Sequence, residues 1–266
     1  MIALEGITRR FRRADGQPVT ALSDINVTIA AGEFVCLVGP SGCGKSTLLQ
    51  IVAGLLAPSA GHVRVAGQEV RGPAPDRGMV FQRESVFPWM RVIDNVQYGP
   101  KCRGIRRAER LALARHYLDR VGLLHVAQAW PRELSGGMLK RVAVASVFAN
   151  GARVLMLDEP FGALDYVTRH QLHDVLLDLW EEELAANGRR TVLFVTHDVD
   201  ESLVLADRIL VFRAGCLVDD FRIAAARPRT ADSLLLAEMV AHRHRLLAHL
   251  GLERAQPRAA APIGGR

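Results

Sequence analysis

The chain has little of what secreted or membrane-embedded proteins are built from. Its 266 residues include four cysteines, Cys36, Cys43, Cys102 and Cys216, with no pair at CxxC spacing. That pattern excludes a disulfide framework and a thiolate metal site, and fits reduced thiols in a reducing compartment. No uninterrupted apolar stretch reaches the roughly 20 residues needed to span a bilayer. The opening Met1-Ile2-Ala3-Leu4-Glu5 lacks a basic region followed by an apolar one, so no secretory leader is expected. The expectation is a cytosolic chain, with any membrane part supplied by another polypeptide. Neither sign of charge dominates: 34 basic against 28 acidic residues leave a net +6. The one local basic cluster, Arg103, Arg106, Arg107 and Arg110, reads as a solvated helix face rather than a nucleic-acid site.

What is present is apolar substance. At 49% apolar residues the chain can bury a sizeable core. Its length suits one α/β domain with a smaller subdomain. The first thirty residues alternate loosely, as half-exposed antiparallel strands do, with a turn at Asp15-Gly16. Phe34-Val35-Cys36-Leu37-Val38 is a short apolar run between Gly32 and Gly39 and reads as a buried strand; a helix over 45–56 follows it. Similar runs at 153–157 and 191–195 precede helical patterns. Strand–helix alternation of this kind predicts a parallel sheet covered on both faces. From 92 to 148 the pattern is helical only, including apolar spacing over 106–121, which predicts a helical insertion. One amphipathic helix is expected over 230–252, with Leu235, Met239, Leu246 and Leu250 on its apolar side. Its His242, His244 and His249 read as helix surface, there being no fourth metal ligand. From 254 the Ala, Pro, Gly and Arg composition predicts a disordered tail.

Gly39-Pro40-Ser41-Gly42-Cys43-Gly44-Lys45-Ser46 fits G-x-x-x-x-G-K-[ST], placed after a buried strand and at the start of a helix. Glycines let backbone N–H groups curl onto phosphate oxygens, and the helix dipole adds positive potential there. Lys45 is expected to reach the β- and γ-phosphates of ATP, Ser46 to ligate Mg²⁺, and Thr47 to contact the α-phosphate. Cys43, beside Lys45 and the helix N-terminus, is expected to alkylate readily and to be protected by Mg-ATP.

A second acidic element completes the chemistry. Val154-Leu155-Met156-Leu157-Asp158-Glu159 is an apolar strand ending in two carboxylates, at the sheet edge where ligands bind. Asp158 suits a Mg²⁺ contact, and Glu159 suits general-base activation of the attacking water. His197 ends Thr191-Val192-Leu193-Phe194-Val195-Thr196 and is a candidate for the γ-phosphate or the water. Gln82 follows Met79-Val80-Phe81 and is a candidate sensor of Mg²⁺ and the γ-phosphate.

Between these motifs stands Leu134-Ser135-Gly136-Gly137-Met138. With it the sequence strongly resembles the ATP-binding cassette (ABC) family. The order agrees throughout: phosphate loop at 39–46, Gln82, the signature at 134–137, the acidic strand at 154–159, Ala163-Leu164-Asp165, then His197. The resemblance covers roughly residues 1–220. It implies an α/β fold: a phosphate-loop NTPase core with a parallel sheet, an N-terminal antiparallel β subdomain and a helical subdomain inserted at about 85–150. A helical extension would occupy 221–253. It further implies a head-to-tail dimer, each ATP held between one protomer's phosphate loop and the other's Ser135, Gly136 and Gly137. Phe11 matches the aromatic residue that stacks on adenine, and Asp165 the loop that couples the two sites.

Phe87-Pro88-Trp89-Met90 after Gln82, Leu134 to Met138, and Thr196-His197-Asp198-Val199-Asp200-Glu201 look like the nitrate, sulfonate and taurine importer subfamily. That implies an ATP-hydrolysing subunit at the cytoplasmic face of the membrane, bound to integral membrane permease subunits and served indirectly by a periplasmic or extracellular solute-binding protein. In that family the region after Gln82 contacts a short cytoplasmic helix of the permease. Two departures stand out: Leu139-Lys140 replaces the usual Arg-Gln or a similar pair, and Ala145-Ser146-Val147-Phe148 replaces Ala-Arg-Ala-Leu. The rival reading, a cassette ATPase acting on nucleic acid or ribosomes, has only the positive charge behind it, and no nucleic-acid partner is expected. A small-molecule kinase would leave the signature unexplained. The solute, among nitrate, alkanesulfonates, taurine, bicarbonate and thiamine precursors, and the choice between homodimer and mixed dimer, stay open at this level.

Overall fold

The structure is a computed structural model and describes residues 1–13, 15–82, 86–162, 164–182 and 188–252. The expected tail from 254 lies outside the described residues.

Strands β1 (Ile2–Arg12) and β2 (Pro18–Ile29) form an antiparallel hairpin, joined by β4 (Ala60–Val65) and β5 (Gln68–Glu69) in the order β2-β1-β4-β5. The second sheet has six strands in the order β10-β9-β3-β8-β7-β6. Its members are β3 (Phe34–Val38), β6 (Arg77–Val80), β7 (Val154–Asp158), β8 (Thr191–Thr196), β9 (Arg208–Arg213) and β10 (Cys216–Arg222). The first five run parallel, in register Val38 to Thr196 and Asp158 to Val195, and β10 turns back antiparallel on β9.

Every residue of β3, β7 and β8 is buried. The two-residue period of a strand splits them between two cores. Phe34, Cys36 and Val38 face one core with Leu155, Leu157, Val192 and Phe194; Val35 and Leu37 face the other with Val154, Met156, Leu193 and Val195. The first core is filled by α2 (Val92–Cys102), α3 (Arg107–Arg120), α4 (Gly136–Ala149), α5 (Tyr166–Glu182), α6 (Val199–Leu205) and α7 (Ala237–Leu250). Trp180 anchors it, edge-on to Phe34 at 5.4 Å, with its indole N–H donating to the Arg190 carbonyl at 2.7 Å. The second core is closed by α1 (Lys45–Ala53) and the antiparallel sheet. The expected parallel sheet covered on both faces is therefore present, with a β layer sharing one cover.

Two helix expectations are corrected. The helix after the phosphate loop stops at Ala53, not 56, because Gly54 turns left-handed at φ 77° and donates to the Gln50 and Ile51 carbonyls. The 230–252 segment is not one helix but a 3₁₀ turn, Asp232–Leu235, followed by α7. Leu236 between them is extended (ψ 141°), which rotates Leu235 off the apolar face and leaves it 74% exposed. Met239 and Leu246 are buried as expected. His242 stacks on Phe221 at 4.9 Å, and His249 Nε2 lies 2.7 Å from Asp219 Oδ2. Among the described residues no group of three or more His, Cys, Asp or Glu side chains is arranged to hold a metal ion, and no helix is long and apolar enough to cross a membrane.

Candidate functional site

The loop 39–46 leaves the carboxyl end of β3 and turns into α1. Gly44 is the residue before the helix, at φ 104°, a conformation closed to residues with a Cβ. Lys45 is only 5% exposed. Its Nζ donates to the carbonyls of Gly39 at 2.7 Å and Pro40 at 3.0 Å, so the ammonium is folded back on its own loop. Ser41, Gly42 and Ser46 are exposed at the same edge.

Four separate segments meet there. Ser46 Oγ donates to Asp158 Oδ1 at 2.8 Å, joining the first residues of α1 to the last of β7 across 112 positions of sequence. Gln82 Nε2 donates to Glu159 Oε2 at 2.9 Å, joining the ends of β6 and β7. His197 Nδ1 stands 3.6 Å from the same Glu159 oxygen. Parallel pairing produces this convergence: β6, β7, β8 and β3 all deliver their carboxyl ends to one edge. Burial pushes the Asp158 carboxyl above the usual carboxylate range, against the Ser46 hydrogen bond, which lowers it. Glu159 turns off the strand at φ 44°, a left-handed conformation uncommon for a residue with a side chain, and its N–H donates to the Val195 carbonyl at 3.1 Å. That turn swings its carboxylate away from Asp158 and toward Gln82 and His197.

The signature segment lies apart. Ser135 caps α4, accepting from the Met138 N–H at 3.3 Å, and Ser135 and Gly136 are exposed. Gly137 packs near Leu164 and Thr168, beside Asp165. Asp165 accepts from the Thr168 N–H at 3.0 Å, which holds its carboxyl below the usual range. Among the described residues no hydrogen bond joins 134–137 to 39–46. Phe11 is 38% exposed near the tip of the β1–β2 hairpin, with the Arg9 guanidinium 4.6 Å from its ring centre. Thr47 is half-buried in the first turn of α1.

One expectation fails. Cys43 is 4% exposed and packs in the core beneath the loop, with Sγ 3.7 Å from Lys45 Nζ, so proximity to a cation does not make it accessible. We expect iodoacetamide to modify the exposed Cys102 and Cys216 first, with Cys43 at least about tenfold slower by peptide mass spectrometry. Equal rates at all three would contradict the buried thiol.

Two residues had no functional signal in the sequence. Arg169, on α5, binds Asp198 at 2.8 Å and the Leu164 carbonyl at 3.1 Å, linking the Asp165 loop to the His197 loop. Lys140, noted only as a departure, donates from Nζ to the Gln82 carbonyl at 2.6 Å. Burial lowers the Lys140 pKa, and the Asp158 charge acts in the opposite direction.

A glycine loop with a buried lysine, an acidic strand end and a glutamine from the neighbouring strand end define a phosphate-loop ATPase. Comparison with known proteins narrows the class. A family model described as ABC transporter matches residues 22–162. The nitrate import ATP-binding protein NrtD of Synechocystis sp. is 51% identical over 73% of this chain and 71% of its own length. A taurine import ATP-binding protein TauB of Jannaschia sp. is 43% identical over 85% of this chain and 83% of its own. The dimeric structure of an ATP-binding cassette in a post-hydrolysis state, bound to ADP and Pi, superposes with TM-score 0.73 at 28% identity, covering 85% of this chain and all of that one. This chain belongs to the ABC transporter family, as an ATP-binding and ATP-hydrolysing subunit.

Proposed function

We propose that this subunit powers uptake of a small solute of the nitrate, sulfonate or taurine type through a separate membrane permease, and works as a head-to-tail pair of cassettes at the cytoplasmic face. The observation that carries it is the division of the site. Ser46–Asp158 and Gln82–Glu159 meet at one sheet edge, while the exposed start of α4 hydrogen-bonds to none of the loop residues. A helix N-terminus of this kind suits a γ-phosphate presented by a second protomer. The names of the nitrate and taurine import relatives support the solute class. A solute-binding protein outside the membrane would deliver it.

In this reading ATP draws Lys45 from the Gly39 and Pro40 carbonyls onto its β- and γ-phosphates, where loop N–H groups also bind. Thr47 meets the α-phosphate, and Phe11 stacks on adenine. Glu159 takes the proton from the attacking water as the new P–O bond forms and ADP leaves, with His197 orienting the γ-phosphate. The residues fit a divalent cation: a hydroxyl and a carboxylate 2.8 Å apart are hard oxygen donors, and burial holds the Asp158 carboxyl above its usual range, a cost that a bound cation would offset. Ser46, Asp158 and Gln82 would hold Mg²⁺, which supplies neutralisation of phosphate charge. Asp165 would couple the two sites across the pair.

An aromatic patch begins at Phe87, five residues after Gln82 in the sequence. Phe87, Trp89 and Tyr98 are 36%, 67% and 40% exposed, with ring centres 5.4 Å (Phe87–Trp89) and 4.8 Å (Phe87–Tyr98) apart. Clustered exposed aromatics are uncommon on a surface without a partner. We read this patch as the permease contact, following in sequence the segment that would sense the γ-phosphate.

Gentle solubilisation of native membranes and purification through a tag on this chain tests the reading. A multi-spanning membrane protein at about one copy per cassette is expected. Recovery only with ribosomes or DNA would overturn transport and leave the ATPase site standing.

A further inference from the structure

Lys140 lies five residues past Ser135, early in the helix that the signature opens. It is half-buried, and its Nζ reaches both the Gln82 carbonyl at 2.6 Å and the Phe81 carbonyl at 3.5 Å. Those carbonyls belong to the segment leaving β6, the one that carries the Gln82 side chain. The Gln82 amide in turn donates to Glu159. A continuous line of contacts therefore runs from α4 through Lys140 and Gln82 to the carboxylate that we assign as base. Every link is a hydrogen bond between groups from different segments, and the first is charge-assisted, a class roughly twice as strong as a neutral pair.

The same helix begins at the exposed Ser135 and Gly136. Moving that N-terminus toward a phosphate pulls on Lys140, because a 14-residue α-helix with a filled core face moves as a unit. Ser146, further along the helix, donates to the Val142 carbonyl at 2.8 Å, a contact within α4 itself; among the described residues its side chain forms no hydrogen bond to another element. Arg141, next to Lys140, binds Gln171 at 2.9 Å and tethers α4 to α5 instead.

We propose that Lys140 is a positioning residue for ATP hydrolysis: it clips the signature helix to the Gln82 segment, so that a phosphate engaged by the signature in one site sets the Gln82–Glu159 contact in the other. This rests on the reading of the signature as half of a site shared between two protomers. The clip gives the two ATP sites a mechanical link within each chain.

The test uses the full chain with Lys140→Met, which keeps the apolar stem and removes the donor, and Lys140→Arg, which keeps a cationic donor. Melting temperature verifies folding. Lys140→Met is expected to lower kcat about five- to tenfold with KM for ATP within about twofold, and to bring the Hill coefficient for ATP close to one. Lys140→Arg is expected to restore most of both. A folded Lys140→Met chain with wild-type kcat and Hill coefficient would overturn the proposal. So would an equal loss in Lys140→Arg, which would indicate packing rather than a donor. The ATP-dependent dimer is followed separately by size exclusion in a Glu159→Gln background. If that background forms no dimer, the shared-site reading fails, and the clip with it. If it dimerises and Lys140→Met still changes nothing, only the clip fails.

Discussion

Glu159→Gln is expected to cut steady-state ATP hydrolysis by about two to three orders of magnitude, the range a general base contributes. ATP binding should stay within about twofold. The reasoning is geometric. Glu159 leaves β7 in a left-handed conformation at φ 44°, and glutamine meets the same backbone demand. An amide oxygen can accept from Gln82 as the carboxylate oxygen does at 2.9 Å. What the substitution removes is the capacity to take a proton from water. Phosphate release at saturating ATP, set beside equilibrium nucleotide binding, measures the two effects separately. An ATP-stabilised dimer should also accumulate, because closure precedes the blocked step. Normal turnover in this variant would show that another group is the base, and His197, 3.6 Å from Glu159, would be the next candidate.

Lys45→Ala should weaken ATP binding by about 30- to 100-fold, the value of one charge-assisted hydrogen-bonding group to phosphate. The lysine is 5% exposed and holds two loop carbonyls, Gly39 and Pro40. Removing it also leaves those acceptors without their donor, so a small loss of stability accompanies the loss of affinity. Titration calorimetry with ATP and a melting curve on the same sample separate the two. Loss of binding with a melting temperature lowered by only a few degrees supports direct phosphate contact. Full affinity in a folded variant would place the phosphates elsewhere. The two variants make opposite signatures: Lys45→Ala cannot load ATP, and Glu159→Gln loads it and stalls.

The residues that make these expectations were nearly all readable from the chain. A glycine loop between a buried strand and a helix has a local geometry, set by which residues tolerate left-handed backbone and by where helix N–H groups are free. Strand β3 was legible for a related reason: a five-residue apolar run, 34–38, with Gly32 and Gly39 close on either side is too short for a helix and fits a fully buried strand. The signature helix start at Ser135 follows from capping chemistry within four residues. The failures were of another kind. Cys43 looked reactive from its neighbours in sequence, yet the direction its side chain takes depends on the sheet and helix packed beneath the loop. Leu235 fitted a helical period, but its exposure depends on a break at Leu236 that no local signal announced.

Motif order and spacing thus carry the identity of the parts: which segment binds phosphate, which supplies carboxylates, and which begins a helix with free N–H groups. These are properties of ten or fewer consecutive residues, so short-range sterics and hydrogen bonding suffice. The pairings belong to the assembled fold. Ser46 meets Asp158 and Gln82 meets Glu159 because parallel strands from distant parts of the chain end at a common edge, and Lys140 reaches the Gln82 carbonyl because α4 packs across that edge. Such contacts span 58 to 112 positions of sequence. Their existence depends on topology and register, which are settled by the burial of the whole core rather than by any one segment.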